Sequence, residues 1–261
     1  MGRPVAYETR YCAYLDILGF RGLVSGLRGN DHKVKSLKDL LSKVHRPFQG
    51  NAGIRYGNNG NFRAQSISDA VAISTAVNSD GLLHLFYVLE HLVLDLLAEG
   101  YFTRGAIVKG HLFHDTRMVF GEALVEAYHL ESEVVRFPRV MVTRSVADDV
   151  RNVKGELYQK RIKQAEDGPH FLNVLHRLRD EMDSELLSNP QVHAEQSKGL
   201  ARYVTMGKKI QKRFDEAVDN PRHFEKVKWF GNYWNSIIAP QTIQGLELIR
   251  GAGVSTPALW G

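Results

Sequence analysis

The sequence predicts an α+β fold, a ferredoxin-like sandwich with a helical C-terminal extension, and three observations predict it. Strand-like and helical segments alternate over the first 145 residues in the order strand, helices, two strands, helix, strands, helix, strand. Residues 79–98 show a clear helical repeat of apolar side chains. After about residue 145 the pattern changes to one hairpin followed by helices. We therefore expect a first domain over residues 1–175 and a helical extension over 176–261 that packs on it.

Local signals mark the main elements. The first strand is rich in Tyr, Ala, Leu and Ile and ends at a turn that contains Gly19. The segment Gly57-Asn58-Asn59-Gly60 is typical of a hairpin, because Asn and Gly tolerate positive φ. Ser79 or Asp80 is expected to cap the long helix, and Gly100 to end it. The predicted strands are 10–17, 52–56, 61–66, 70–76, 102–112, 118–121, 139–143, 157–164 and 170–174, the predicted helices are 21–28, 34–46, 79–98, 121–135, 192–218 and 221–236, and a loosely ordered tail begins at 238.

Composition limits the class of protein. A hydrophobic content of 43% and a charged content of 24% are ordinary for a globular protein. The single cysteine, Cys12, cannot form an intramolecular disulfide and fits a reducing cytoplasm. A net charge of +5 suits polyphosphate ligands but is too small for a dedicated DNA-binding surface, so no nucleic-acid partner is expected. The longest apolar segment, 81–98, carries four polar or charged residues, and we therefore expect a cytoplasmic protein without a membrane span.

Asp16 and Asp69 are the most informative residues of the chain. Each is a lone carboxylate in an otherwise apolar, strand-like segment. Burying a charge there is costly unless a cation lies against it. On neighbouring strands, the two carboxylates would hold a pair of divalent metal ions beside a nucleotide, because magnesium needs few carboxylates when substrate phosphates complete its shell. The alternative is that each aspartate is a structural cap at a strand end.

Further residues are candidates for contacts with a nucleotide. Backbone N–H groups of the turn Ile17, Leu18, Gly19 and Phe20 stand at a predicted helix start, where phosphates bind readily. Arg104 begins a predicted strand, from which its guanidinium would reach a triphosphate; a salt bridge to a neighbouring carboxylate is the alternative. Tyr56 is the preferred aromatic contact for the base, and a packed sheet tyrosine is the alternative there.

Four segments occur in a characteristic order: Tyr14–Phe20, Ser68-Asp69, Arg104–Ile107 and Phe120–Glu131. Their order and spacing resemble the class III nucleotidyl cyclases, and within that class the pyrimidine cyclases of bacterial Pycsar antiphage defence. The resemblance covers roughly residues 10–145, and no single motif carries it. It implies the class III cyclase form of the ferredoxin-like fold and an enzyme that converts a nucleoside triphosphate to its 3′,5′-cyclic monophosphate and pyrophosphate.

The resemblance also implies a site. The metal ligands fall on Asp16, Ile17 and Asp69, with two Mg²⁺ or Mn²⁺ ions per active site, and the active sites lie at the interface of a homodimer. Gln65 and Met118 stand at the positions that read the base, and His129 at the position of the transition-state arginine. Together with Arg104, which its own position suggests, the candidate catalytic set is Asp16, Asp69, Arg104 and His129.

This sequence departs from the purine cyclases at four positions. Gln65 replaces a base-reading lysine, Met118 a second, usually acidic base reader, Val125 the ribose-orienting asparagine and His129 the arginine. These departures argue against ATP or GTP bound in the familiar mode, and they suit either a pyrimidine base or a non-catalytic domain.

We predict a uridylate cyclase that converts UTP to cyclic UMP, a second messenger read by a separate effector in antiphage defence. A cytidylate cyclase that makes cyclic CMP from CTP is the first alternative, and a non-catalytic nucleotide sensor is the second. An interaction protein whose aspartates only cap strands is the third. A diguanylate cyclase is disfavoured, because the Gly-Gly-Asp/Glu-Glu-Phe signature of such enzymes does not occur.

Overall fold

A mixed sheet with helices on both faces forms the centre of the protein, as seen in a computed structural model. The structure describes residues 6–42, 61–68, 70–153, 159–241 and 243–253, without the side chains of Arg21 and Ile67. The strands found there are β1 (Glu8–Ile17), β2 (Arg63–Ile67), β3 (Ala70–Ala76), β4 (Thr103–His114), β5 (Val119–Phe120), β6 (Val140–Val142), β7 (Ile162–Gln164) and β8 (His170–Leu172). The helices are α1 (Phe20–Ser25), α2 (Asp31–Ser42), α3 (Ser79–Ala98), α4 (Glu122–His129), α5 (Arg144–Asn152), α6 (His176–Ser188), α7 (Ala201–Glu216) and α8 (Pro221–Ile238).

The strand order places β1 near the middle of the sheet. The order is β2-β3-β1-β4-β6-β8-β7, and β5 pairs with β4 outside this path. The β4–β6 pair is parallel and the other pairs are antiparallel. The predicted α+β class is therefore confirmed, with a helical C-terminal part as expected.

Alternation along β1 divides its side chains between two layers. Tyr11, Ala13, Leu15 and Ile17 face the main core with α3 and the C-terminal helices, whereas Cys12 faces a smaller cluster beneath α4. This follows from the period of two in a strand. The residue after Leu15 in this pattern, Asp16, is therefore directed to the α4 side of the sheet.

The long helix α3 matches its predicted bounds. Its cap is Asn78, whose side chain accepts a hydrogen bond from Gly81 N, in place of the predicted Ser79 or Asp80. By length and composition α3 could cross a membrane, but 61% of the apolar stretch is buried inside the protein. The predicted core stripe of this helix belongs to the main core together with residues of the sheet; its members are Phe86, Leu89, Leu92, Val93 and Leu96.

Several predicted bounds differ from the observed ones. The expected helix 121–135 is divided, because a π-helical segment, Leu130–Val134, follows α4. The expected helix 192–218 begins only at Ala201, where Ser197 Oγ accepts hydrogen bonds from the Gly199 and Leu200 N–H groups. Helices α5 and α6 were not predicted. The expected strand 52–56 and the Gly57–Gly60 hairpin lie outside the described residues.

The C-terminal segment is better packed than predicted. We expected a loosely ordered tail from residue 238, but Ile243, Leu246 and Ile249 are buried in the main core. Asn235 explains the order, since its side chain accepts a hydrogen bond from Ile249 N at 2.7 Å and donates to Ile249 O. Both parts of the chain contribute to this core, and the division at residue 175 stays a prediction.

Candidate functional site

Asp16 lies at the end of β1, between two neighbouring strands. In the sheet register it pairs with Ala70 of β3 on one side and with Arg104 of β4 on the other. Its side chain is 20% exposed, on the α4 side of the sheet. Asp69 precedes Ala70 in the sequence but lies outside the described residues. The register therefore brings the connection between β2 and β3 to the same sheet edge as Asp16.

Arg104 joins two carboxylates on this face of the sheet. Its Nε lies 4.0 Å from Asp16 Oδ2 and is still closer to Glu131 Oε1. The Glu131 side chain is only 4% exposed. The salt bridge that was the alternative reading of Arg104 is thus present, and its predicted contact with phosphate stays a prediction.

Glu131 was missed as a site residue, although a signal for it existed. Ala123 and Ala127 are the buried residues of α4, and Glu131 follows them at the same spacing of four residues. A carboxylate on the apolar face of a predicted helix needs a cationic partner. Arg104 is that partner, and only the fold brings the two residues together.

The end of α4 contacts β1 next to Asp16. Tyr14, which shares the face of Asp16, packs edge-on against Tyr128, with 5.6 Å between the ring centroids. His129 follows Tyr128, is exposed, and ends α4. Val125, at the predicted ribose position, is 67% exposed. The structure therefore places His129 between two residues that touch this face, Tyr128 and Glu131.

The two predicted base-reading residues are brought close together by the fold. Gln65 Nε2 donates to Arg117 O at 3.2 Å, and Arg117 directly precedes Met118. The Met118 side chain is half exposed, and its backbone N–H donates to Asp115 Oδ1. Gln65 Oε1 is buried and has no hydrogen-bond partner among the described residues. No described residue satisfies this acceptor.

Gln65 also shares the sheet face of Asp16. Gln65 pairs with Ala72, and Ala72 pairs with Tyr14, two residues before Asp16. Paired residues in a sheet point to the same side, as do residues two apart in a strand. Small side chains at Ala70 and Ala72 separate Gln65 from the β1 row. Ala70 and Ala72 are both buried, so the row from Gln65 to Asp16 is covered between its two polar ends.

The turn after Asp16 was predicted to offer its backbone N–H groups to phosphate, but one of them is already hydrogen-bonded within the protein. The Leu18 N–H donates to Phe102 O at 2.8 Å and so is already used inside the protein. Gly19 has φ = 78°, a left-handed conformation that suits glycine and starts α1. Phosphate contacts from Ile17, Gly19 and Phe20 stay predictions. Tyr56, like Asp69, lies outside the described residues.

A second polar cluster lies at the opposite end of β1 and has a structural role. Arg10 Nε donates to Ser74 Oγ at 3.0 Å, and Ser74 Oγ lies 2.8 Å from His114 Nδ1. Burial, helped by the positive charges of Arg10 and Arg63, lowers the pKa of His114 to about 4. His114 is therefore neutral at pH 7 and belongs to the core network.

The donor chemistry at Asp16 fits a hard divalent cation. A partly exposed carboxylate at a strand end offers oxygen ligands, which Mg²⁺ and Mn²⁺ prefer. Within the described part of the chain, which omits Asp69, no group of three or more His, Cys, Asp or Glu residues could hold a metal ion. The fit therefore rests on Asp16, with Ile17 and Asp69 as the other predicted ligands.

Comparisons with known proteins give fold-level similarities only. No protein-family model and no curated protein matches the sequence. Among solved structures, the chain is similar to the catalytic core of a rhodopsin-guanylyl cyclase in complex with ATPαS (12% identity, TM-score 0.40, covering 64% of this chain and 96% of that one). It is also similar to a bacterial light-regulated adenylyl cyclase, with 16% identity and a TM-score of 0.43, covering 66% of this chain and 54% of that one. A guanylate cyclase domain from Catenaria anguillulae in complex with GTP is similar at 14% identity and a TM-score of 0.39, covering 64% of this chain and 96% of that one.

Proposed function

We propose that this protein is a nucleotidyl cyclase, which converts a nucleoside triphosphate to its 3′,5′-cyclic monophosphate and pyrophosphate. One observation carries the proposal: Asp16 pairs with Ala70, the residue after Asp69, at one edge of the sheet. Two aspartates that are 53 positions apart in the sequence thus belong to chain segments that meet. This is the arrangement that a two-metal phosphoryl site needs.

The chain's own residues supply binding and charge at this edge. Asp16, Ile17 and Asp69 would hold Mg²⁺ or Mn²⁺, two ions per site, and bound metal would make the ribose 3′-hydroxyl more acidic and neutralise the triphosphate. Arg104 offers a guanidinium for a phosphate oxygen, held in place by Glu131. His129 is exposed next to Tyr128 and would donate to a phosphate in its protonated form.

We propose a pyrimidine triphosphate as substrate, with UTP preferred and CTP as the alternative. Gln65 and the neighbouring Met118 support this, since together they present one amide acceptor and one apolar side chain. The N3–H of uracil or the exocyclic amine of cytosine would donate to Gln65 Oε1. The choice between these bases rests on the family resemblance, as does the role in antiphage defence with a separate effector.

A homodimer is the proposed assembly, with its active sites at the interface and a cytoplasmic location. Exposed apolar side chains on the Asp16 side of the protein support a partner chain there. Tyr128, Val125 and Met118 are between 50% and 67% exposed, and they belong to α4 or to the connection between β4 and β5. Exposed apolar patches of this kind mark interaction sites.

The test is turnover of UTP, CTP, ATP and GTP by the purified protein with Mn²⁺. The expected result is pyrophosphate and a cyclic pyrimidine nucleotide. The Asp16→Asn and Asp69→Asn variants should lower the rate by about 100-fold or more, because even residues that only support a metal ligand contribute about 10–100-fold. Asp148→Asn, an exposed carboxylate on α5 that pairs only with Arg151 among the described residues, is the matched control.

Thermal unfolding of each variant separates chemistry from folding. An Asp16→Asn variant that folds like the parent but has lost turnover supports the metal site. Full activity in Asp16→Asn would remove Asp16 from the chemistry, and a cyclic purine product alone would remove the pyrimidine assignment.

A non-catalytic nucleotide sensor is the second candidate function. The ion pair between Arg104 and Glu131 favours it, because a guanidinium held by a buried carboxylate is less available to phosphate. Nucleotide binding without turnover, measured by calorimetry with UTP and Ca²⁺ or Mn²⁺, would select the sensor over the enzyme.

A further inference from the structure

A large cavity lies between the N-terminal helices and the C-terminal helices, next to the turn that follows β1. Its volume is about 970 Å³, which is in the range of small-molecule sites. Helices α1 and α2 form one wall, and the end of α7 with the start of α8 forms the other. We call it the helical cavity.

Positive charge dominates the rim of the helical cavity. Six basic side chains line it, whereas Glu99 is the one acidic side chain among its described lining residues. Glu99 already lies 3.5 Å from Lys209, which is outside the lining. The basic residues come from α2, α7 and α8: His32, Lys33, Arg213, Arg222, His223 and Lys226.

Most of these charges have no carboxylate partner. Arg213 lies 3.5 Å from Glu216 and donates to Gly100 O. Among the described residues, by contrast, Lys33, Arg222 and Lys226 form no ion pair. Three unpaired cations around one cavity repel one another, and a bound anion would remove that repulsion.

The start of α8 adds to the positive potential. Asn220 caps the helix through His223 N and lines the cavity together with Arg222 and His223. The N-terminal end of an 18-residue helix carries partial positive charge. Burial and the charges of Arg213 and Lys226 lower the pKa of His223. The cavity therefore disfavours a further positive charge.

The floor of the cavity is apolar. Leu37, Leu40, Phe102 and Val227 line it and are buried, and Leu23 lines the α1 wall. A charged rim over an apolar floor suits a ligand that has one anionic group and one apolar part. An inorganic ion alone would leave the floor uncovered.

We propose that the helical cavity binds an organic anion that places its phosphate, sulfonate or carboxylate group against Lys33, Arg222 and Lys226 and its apolar or aromatic part against Leu23, Leu37 and Phe102. The cavity shares Ile17, Leu18 and Gly19 with the predicted phosphate contacts that follow Asp16. Its cations and its apolar floor lie on other elements, so the proposal does not depend on the proposed cyclase activity.

The test uses 8-anilinonaphthalene-1-sulfonate, an aromatic sulfonate that fluoresces in apolar sites. It is titrated into the full chain in the presence of EDTA, so that metal-dependent binding of anions near Asp16 does not contribute. We expect saturable binding that weakens with added salt and competes with inorganic pyrophosphate. The double variant Arg222→Gln/Lys226→Gln should weaken binding about tenfold or more, as expected for lost charge-assisted contacts.

A matched control removes equal charge outside the cavity. Lys228→Gln on the same helix, combined with Lys212→Gln on α7, changes two exposed cations that do not line it. Unchanged affinity in this control, with the loss confined to Arg222→Gln/Lys226→Gln, supports the site. Equal affinity in all variants, or an equal loss in the control, would overturn it.

A second variant tests the apolar floor. Leu23→Asn leaves every cation in place, and its side chain is only partly buried, so the fold should be retained. We expect weaker binding of the aromatic sulfonate with pyrophosphate competition still present. Unchanged affinity for the aromatic sulfonate would contradict the apolar half of the proposal.

Discussion

Asp16 and Arg104 face each other as a register pair of β1 and β4, and Arg104 connects Asp16 to the buried Glu131. Three charged side chains from distant parts of the sequence thus form one cluster on the α4 side of the sheet. The cluster holds the guanidinium beside the carboxylate that we propose as a metal ligand. Mutations can measure separately how much the cluster stabilises the fold and what it contributes to activity.

Arg104→Met should destabilise the protein by about 3 kcal/mol, because it leaves the Glu131 carboxylate buried without its cation. The double variant Arg104→Met/Glu131→Leu should recover part of that loss, since the buried carboxylate is removed together with its cation, while Asp16 still loses Arg104. Chemical denaturation of the two single variants and the double variant measures the coupling. Additive losses would show that the Arg104–Glu131 contact does not stabilise the fold.

Glu90 holds the C-terminal extension to α3 through a buried ionic cluster. Its side chain is fully buried, 2.5 Å from Arg161 and 3.1 Å from His176 Nε2. We expect Glu90→Gln to cost about 3 kcal/mol, because it removes the buried carboxylate that faces Arg161 and His176. Asp80→Asn, an exposed carboxylate at the start of the same helix, should change the free energy of unfolding by less than about 0.5 kcal/mol.

The contribution of Glu90 should depend on pH. Burial alone would raise the pKa of Glu90, but the hydrogen bond from His176 and the charges of Arg161 and His176 outweigh it and lower the pKa below its ordinary value of 4.5. The stabilisation is therefore complete above about pH 4.5 and is lost as the pH falls below that value. Urea unfolding at pH 7 and at pH 3.5 should show a smaller difference between the parent and Glu90→Gln at the lower pH. A difference that grows on acidification would contradict the assignment.

Gly105 allows β1 and β4 to approach closely next to the candidate site. A Cβ at this position would lie 2.4 Å from Tyr14 O and 3.1 Å from Leu15 Cα. Gly105→Ala should therefore cost about 1–3 kcal/mol, as overpacking does. Gly22→Ala in α1 is the matched control, because a Cβ there meets no atom within 4 Å, and we expect it to be neutral or slightly stabilising. Thermal unfolding of both variants is the measurement, and equal midpoints would contradict the close approach.

Gln65→Leu should change the choice of nucleotide more than it changes the chemistry. The variant removes the buried acceptor Oε1 and the contact with Arg117 O, so we expect the ratio of kcat/KM for UTP over ATP to fall about tenfold or more. Ser66→Ala, on the opposite face of β2, is the control and should leave the ratio unchanged. An unaltered ratio in Gln65→Leu would show that this residue does not read the base.

Local sequence patterns predicted most helices and strands, because these elements depend mainly on interactions between residues that are close in the sequence. The apolar repeat of 79–98 predicted α3 residue by residue, and the lone carboxylate at position 16 marked the end of β1 correctly. The segment after residue 175 was harder. Helix α6 carries acidic and basic residues on most positions, so its buried side, His176, Leu178 and Met182, gives a weak periodic signal.

The pairing of charges was decided only by tertiary structure. Sequence alone determined that Asp16 is a carboxylate at the end of an apolar strand, where it is costly to bury without a cation, and it left a metal site and a structural cap as the two alternatives. It could not determine that Arg104 pairs with Asp16, that Glu131 turns inward, or that basic residues of α2, α7 and α8 surround one cavity. Those relationships depend on strand register and helix packing, which bring together residues that are far apart in the chain.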